Sequence, residues 1–498
     1  MFCRIALQTK WIALCLSAAL CGCAAVGPNY SAPKLNETDV PSRWTSPTDT
    51  ANGAGAAEKS GTALPASWWT ELSDPALNRL VAESFNTSPT LEAAVAKLGQ
   101  SRSLHAQADA AGGPSVGGSA TGERLVDDST GRPYTDSALS MNSSWEIDFF
   151  GSVRRGKEGA QAREEAQLAT LADARVSLSA DVTDAYLSYR ACQSHLALSE
   201  QDVASRLATE KLTAASVEVG FTAPYQGIRS TASVAEARTQ LADTAAQCKR
   251  LENLLTRLTG ITRPALMAIL AEKPTGLVRL PVPKHFDVAI PSQALTQRPD
   301  IRAAERRLAA ASADIGLAEA DRYPRLSLNG SLGYSASGST SGAGLLSFGT
   351  WSFGPSLSLP IFDGGRRAAE VELAKSRYDE ALATYKAKTR SAIQEVEDGL
   401  TRYAAAHERA ENARIAASQY QRFFDAVEER YREGANNLLE LEDARRSMLS
   451  AQQTLLGVQQ ERLQAWIALN RATGGAAQYR AEEATPQKDT LVTKSSVN

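Results

Sequence analysis

The chain has 498 residues, 43% apolar and 22% charged, and its 53 basic and 56 acidic side chains leave a formal charge of −3. No Lys/Arg block or basic stripe occurs, which argues against a nucleic-acid partner. Beyond the first 25 residues no uncharged apolar run approaches the ~20 residues of a membrane-spanning helix. Abundant alanine with only 6% aromatics suits long, closely packed helices better than a broad globular core.

The N-terminus sets the compartment. Arg4 and Lys10 precede an apolar stretch, Trp11 to Leu20, and then small residues, the layout of a secretory signal over 1–22. Leu20-Cys21-Gly22-Cys23 resembles a bacterial lipobox, which implies lipidation of Cys23, with Ala24 at the following position favouring the outer membrane. Several acyl chains on one cysteine suffice for stable anchoring. Loss of Arg4 and Lys10 takes the mature charge to −5. Cys192 and Cys248 then remain as thiols, and an oxidising compartment makes a disulfide between them reasonable.

Residues 23–70 are a lipidated segment running into an Ala/Gly/Ser/Thr linker at 45–66. A first unit at 71–260 is expected to run helix, two strands, very long helix, tight break at Gly220, long helix. The strands are placed near 114–124, Gly-rich and weak, and at Ser137–Phe149. In the latter, Leu139, Met141, Trp145, Ile147 and Phe149 alternate with Ser140, Asn142, Ser144, Glu146 and Asp148. A proline-rich connector, 261–291, follows. A second unit at 292–474 has strands at Arg325–Tyr334 and Thr350–Phe362, a helix from Gly365 to Tyr431 and a break at Gly434. Residues 475–498 form a polar tail.

The two units repeat. SWEIDFFGSVRRGKEGAQA (144–162) is echoed by SLSLPIFDGGRRAAEVELA (356–374), with their glycines 213 residues apart. Gly220 and Gly434, and Gly260 and Gly474, are each 214 apart. One strand alone would fit an ordinary half-buried sheet. An exported context, terminal aromatics and ~10–13-residue strands point instead to a membrane barrel. Four strands cannot close one, and an open edge in lipid leaves backbone groups unsatisfied, so oligomerisation is required. Helices of ~67 residues span ~100 Å and need lateral partners along their length. Their three- and four-residue apolar spacing suits a sheath with a wet side, although a dimeric coiled coil would share it.

Catalytic chemistry is not expected. His105, His195, His285 and His407 lie far apart without further ligands at metal spacing, and no phosphate loop or nucleophile elbow occurs, so neither an enzyme nor a cofactor is predicted.

GPNYSAP (27–33), SWWTELSDPALNRLVAES (67–84), LTQRPDIRAAERRLAAASADIGLAEADRYPRLSL (295–328), LPIFDGGRR (359–367) and YREGANNLLELEDARRSMLSAQQ (431–453) resemble the TolC-type outer-membrane efflux channels, in particular their lipoprotein OprM/NodT branch. The resemblance implies an α+β membrane protein. It would be a homotrimer with a 12-stranded β-barrel, four strands from each chain, continued by a 12-helix α-barrel with an equatorial domain. The implied partners are a periplasmic adaptor (membrane fusion) protein, a proton-driven inner-membrane pump and outer-membrane lipid. The implied role is the exit duct of a tripartite efflux system. A type I protein-secretion duct and an envelope-tethering lipoprotein are the alternatives.

The resemblance also places a periplasmic gate. Leu439 and Asp443 fall where the OprM branch has apolar and acidic rings, and Tyr431 and Glu440 where TolC has its latch tyrosine and an aspartate. On a threefold axis a Leu439 ring would constrict, and Asp443 or Glu440 would attract cations. For Glu442 a solvated acidic surface is the alternative reading. Asn436 replaces the family's latch arginine and Gln226 an aspartate. Arg229 is expected to pair with an acid of the other repeat. In a helical hairpin folded at Gly220, Cys192 and Cys248 lie at one level, within disulfide reach.

Overall fold

The computed structural model describes residues 25–33, 40–46, 67–126, 128, 131, 133–272, 291–339 and 346–475. The signal segment, Cys23, most of the linker, the later part of the connector with His285, and the tail after Gly475 lie outside the described residues. In chain order the elements are a 3₁₀ turn at Trp68–Leu72, α1 (Pro75–Thr87), α2 (Pro89–Ala110), β1 (Ser115–Val126), β2 (Pro133–Ile147), α3 (Ser152–Glu218), α4 (Pro224–Thr259), α5 (Arg263–Ala271), α6 (Pro291–Gln297), α7 (Pro299–Ala320), β3 (Arg325–Ser339), β4 (Leu346–Ser358), α8 (Arg366–Arg432) and α9 (Leu438–Ala472). The same order of elements is present twice: α2 and α7 have 22 residues each, and α3 and α8 have 67 each.

The chain divides into two compact units, each drawing on both halves of the sequence. One comprises the N-terminal residues to Lys34 with Lys97–Leu168 and Ala303–Lys386. Its centre is an antiparallel sheet in the order β1-β2-β3-β4, so β2 and β3, distant in sequence, pair directly. Val26 donates to the Phe150 carbonyl at 3.1 Å. The buried Arg155 guanidinium donates to the carbonyls of Val26 and Gly27 and to Asn29 Oδ1, at 3.1, 3.1 and 2.9 Å. Tyr30 donates to Glu305 Oε1 at 2.5 Å. A Cβ on Gly27, whose φ is +86°, would collide with the backbone of Gly316, so glycine is required on both counts.

The other unit comprises Leu35–Ala96, Ala169–Arg302 and Ala387–Asn498. Trp68 and Trp466, both fully buried, meet edge-on with ring centroids 5.2 Å apart. Asp74 caps α1 by accepting from Ala76 N and Leu77 N, and its other oxygen accepts from the Tyr186 hydroxyl at 2.7 Å. Arg298 of the QRPD segment donates to the Ala472 carbonyl at 2.7 Å and to Asp300 and Glu395 at 2.8 Å, closing the C-terminus of α9. Trp44 packs against Val396, Leu400 and Leu469, while Glu397 accepts from the amides of Thr45 (2.7 Å) and Ser46 (2.9 Å). The Cys192–Cys248 pair is bonded, with Cα atoms 5.6 Å apart, and joins α3 to α4.

The strand ends differ from those expected. β2 begins at Pro133 and stops at Ile147; β3 runs on to Ser339; β4 covers Leu346–Ser358, displaced toward the N-terminus. The alternation in Leu359–Phe362 misleads because Pro360 has no N–H for a ladder, and Ile361 and Phe362 stand almost fully exposed beyond the strand. Phe149 likewise falls past β2 in a turn, with Phe150 stacked on Tyr323 at 4.9 Å. The Gly-rich β1 forms because it has β2 to pair with, along its whole length.

Candidate functional site

Two surfaces carry the features that could act. The first is the sheet. Strict alternation places Leu139 opposite Tyr334, Met141 opposite Leu332, Leu332 opposite Trp351 and Leu326 opposite Leu357. Leu139, Met141, Leu332, Tyr334, Trp351, Phe353 and Leu357 are all exposed, a large apolar face with nothing packed on it among the described residues. The opposite face is small and polar: Ser119 meets Ser140 and Ser331 meets Ser352, each at 2.8 Å, and Ser144 donates to Asn329 at 2.9 Å. β1 and β4 are the edges.

The second is the turn at Gly434 and the start of α9. α8 ends in a glycine with φ +77°, where Gly434 N bonds to the Tyr431 carbonyl (3.0 Å) and Ala435 N to the Arg430 carbonyl (2.8 Å). This pair of hydrogen bonds is the Schellman stop, for which only glycine is unstrained. Asn437 then caps α9: its Oδ1 accepts from Glu440 N at 2.9 Å, and its Nδ2 donates to Glu440 Oε1 at 3.3 Å. Glu440 is therefore committed to the helix start and does not meet Tyr431. The Tyr431 hydroxyl instead lies 3.0 Å from Thr213 Oγ1 on α3.

Along α9, Leu439, Asp443 and Arg446 share one exposed stripe, while Leu438, Leu441, Ala444 and Met448 pack inward with Phe424 and Val427. Asp443 pairs with Arg446 at 3.4 Å, both well exposed, so part of its negative charge is balanced within the chain.

The alternative of a solvated surface does not hold for Glu442. It is buried, and its Oε1 accepts from Arg445 at 2.5 Å while its Oε2 accepts from Arg206 (3.3 Å) and Ser233 (3.1 Å). Arg206 also holds Asp202 through Nε at 2.9 Å. Burial raises the Asp202 carboxyl above its usual range despite Arg206 beside it. The fully buried Arg445 donates onward to Ser205 and Thr209 at 3.0 and 2.9 Å. Charge spacing in LELEDARR could not separate the face of Glu442 from that of Asp443, because its partners Arg206 and Ser233 lie more than 200 residues upstream. Arg229 also departs from expectation: it is exposed, and among the described residues it makes no ion pair. No group of His, Cys, Asp and Glu that could hold a metal occurs among the described residues, and burial lowers the pKa of His195.

Residues 80–261 and 290–475 match the family described as outer membrane efflux protein. The chain is similar to Nodulation protein T of Rhizobium leguminosarum bv. viciae, 30% identical over 483 residues and 95% of each chain. It is also similar to the toluene efflux pump outer membrane protein TtgF of Pseudomonas putida, 31% identical over 94% of this chain and 97% of that one. The solved outer-membrane channel OprN superposes with a TM-score of 0.75 at 30% identity, covering 91% of this chain and 99% of its own.

Proposed function

The chain belongs to the outer membrane efflux protein family, and we propose that it works as one third of a closed tube. It is an outer-membrane efflux channel that extends into the periplasm and carries small molecules outward. The observation that carries the threefold reading is the sheet: four strands, two open edges and one bare apolar face. In hydrocarbon each unpaired edge N–H and C=O costs several kcal/mol, so the edges must meet other edges. Three copies supply twelve strands, whereas two supply eight, a barrel filled by its own side chains. The aromatic and leucine face then meets lipid and the serine face lines the passage.

In the same assembly α3, α4, α8 and α9 of three copies make a twelve-helix tunnel, with the shorter helices as an equatorial belt. Cys23 carries the acyl anchor. Leu439 forms an apolar constriction at the periplasmic end, with Asp443 and Arg446 flanking it, Glu440 capping α9 and Tyr431 tying the two hairpins through Thr213. Energy comes from a proton-driven pump in the inner membrane, reached through a periplasmic adaptor. The cargo is of the drug or solvent class, in keeping with relatives named for toluene, solvent and antibiotic efflux.

The test is planar-bilayer conductance of detergent-purified protein whose oligomer mass has been measured. A trimer with small conductance, which grows in Leu439→Ala and shifts in ion selectivity in Asp443→Ala, is the expected result. A dimer, or folded trimers without conductance in any variant, would overturn the reading.

A further inference from the structure

Burying a charge is costly unless it is paired, and replacing a buried pair by apolar side chains of similar volume is often neutral or stabilising. Yet four charges sit together inside the helical unit: Asp202 and Arg206 on α3, Glu442 and Arg445 on α9, two of each sign. Ser233 of α4 donates to Glu442, and Arg445 lies 5.5 Å from the Phe424 ring centroid of α8, so four helices converge on the cluster. Between α8 and α9 packing is already present, because Leu441, Ala444, Met448, Phe424 and Val427 form an apolar cluster alongside. What that cluster lacks is direction. Apolar contacts tolerate sliding and rotation, whereas hydrogen bonds weaken steeply once bent.

Glu442 uses its two oxygens separately, Oε1 toward Arg445 of its own helix and Oε2 toward Arg206 and Ser233 of the first hairpin. Turning α9 by one residue would carry the carboxylate out of reach of both upstream partners and bring Leu438 or Leu441 onto the face now occupied by Leu439 and Asp443.

We propose that Glu442, held by Arg206 and Arg445, is a positioning residue for the constriction: it fixes the rotation of α9 so that Leu439 and Asp443 occupy its open face. The inference rests on the reading of those two residues as the constriction. The cluster sacrifices stability for orientation, and it ties the second hairpin to the first without a covalent bond.

The test separates orientation from stability and from the gate reading itself. Ala444, fully buried, is replaced by cysteine as a reporter of rotation in three backgrounds: wild type, Glu442→Gln, and the apolar quadruple Asp202→Leu, Arg206→Met, Glu442→Leu, Arg445→Met. Thiol labelling, trimer melting temperature and bilayer conductance are measured on each. The expected result is slow labelling in wild type, at least severalfold faster labelling and higher resting conductance in both variants, and a quadruple trimer that melts no lower than wild type. Unchanged labelling in the folded quadruple variant overturns the proposal, whatever the conductance. Faster labelling with unchanged conductance, while Leu439→Ala does raise conductance, also overturns it, since α9 would turn without moving the constriction. If Leu439→Ala leaves conductance unchanged as well, the gate reading fails first and the proposal with it.

Discussion

At Gly220 and at Gly434 the chain turns through the same glycine motif. Gly220 N bonds to the Val217 carbonyl and Phe221 N to that of Ser216, matching Gly434 to Tyr431 and Ala435 to Arg430. The side chains around the two turns are unlike. The first exposes Val219, Tyr225, Ile228 and Phe221, the last 88% accessible, and α4 begins without a side-chain cap. The second runs through Glu433, Ala435, Asn436 and Asn437 into a capped helix. The first hairpin is stapled by Cys192–Cys248; the second is held by the Glu442 cluster and by the Tyr431–Thr213 contact. One backbone used twice thus serves a covalently fixed hairpin and a non-covalently oriented one.

The comparison can be broken most severely at Arg445. Arg445→Ala leaves Glu442 buried with its Oε1 unpaired, and roughly 3–5 kcal/mol of local stability is lost. Hydrogen exchange should quicken across 424–450 far more than across 192–219; equal quickening in both hairpins would show that they are not held separately. Next in size is the staple. Cys192→Ser with Cys248→Ser, or a reductant, removes roughly 2–4 kcal/mol from the first hairpin, and exchange between 193 and 247 should report it while 434–450 stays unchanged.

Smaller and equal effects are expected at the turns. Nothing lies within 4 Å of a Cβ built on either Gly220 or Gly434, so Gly220→Ala and Gly434→Ala should each cost only the left-handed backbone term, about 1–2 kcal/mol. Unequal costs, read from paired exchange measurements, would show that the turns are not equivalent.

The smallest effect is a pH dependence at Glu397, a further tie on the second hairpin. Burial opposes its charge, but hydrogen bonds from Ser46 and Thr45 outweigh that and hold its pKa below the usual value. A depressed carboxylate contributes stability above its unfolded pKa and loses it as pH falls through the folded one. Segment 40–46 should therefore become protease-sensitive in acid, below the ordinary glutamate range, and Glu397→Gln should remove that dependence.

Much of the helical layout was legible because its signals are local. A proline-free run bounded by glycines placed α3 and α8 to within a residue or so, and the equal spacing of Gly220 and Gly434 located both turns. Strand ends were less legible, because alternation continues into Leu359–Phe362 although Pro360 cannot join a ladder. Within the site, Leu439 and Asp443 were singled out by the family resemblance, and they share one exposed stripe of α9. The buried role of Glu442, the Thr213 partner of Tyr431 and the capping role of Arg298 were not legible, since each depends on residues more than 150 positions away. Arg155 was hidden for the same reason: nothing around RRGKE announces that its side chain closes on residues 26–29.

That last contact has a practical consequence. Arg155 and the Gly27–Gly316 approach fix the backbone from Val26 onward, so a group borne by Cys23 can lie no farther from that fixed point than the reach of three residues, roughly 10 Å. An acyl chain there would act as a rivet rather than a tether, setting the depth at which the neighbouring sheet can ride in the bilayer. A flexible spacer inserted between Cys23 and Ala25 would convert the rivet into a tether without disturbing a contact among the described residues, whereas Gly27→Val would strain the backbone where it meets Gly316.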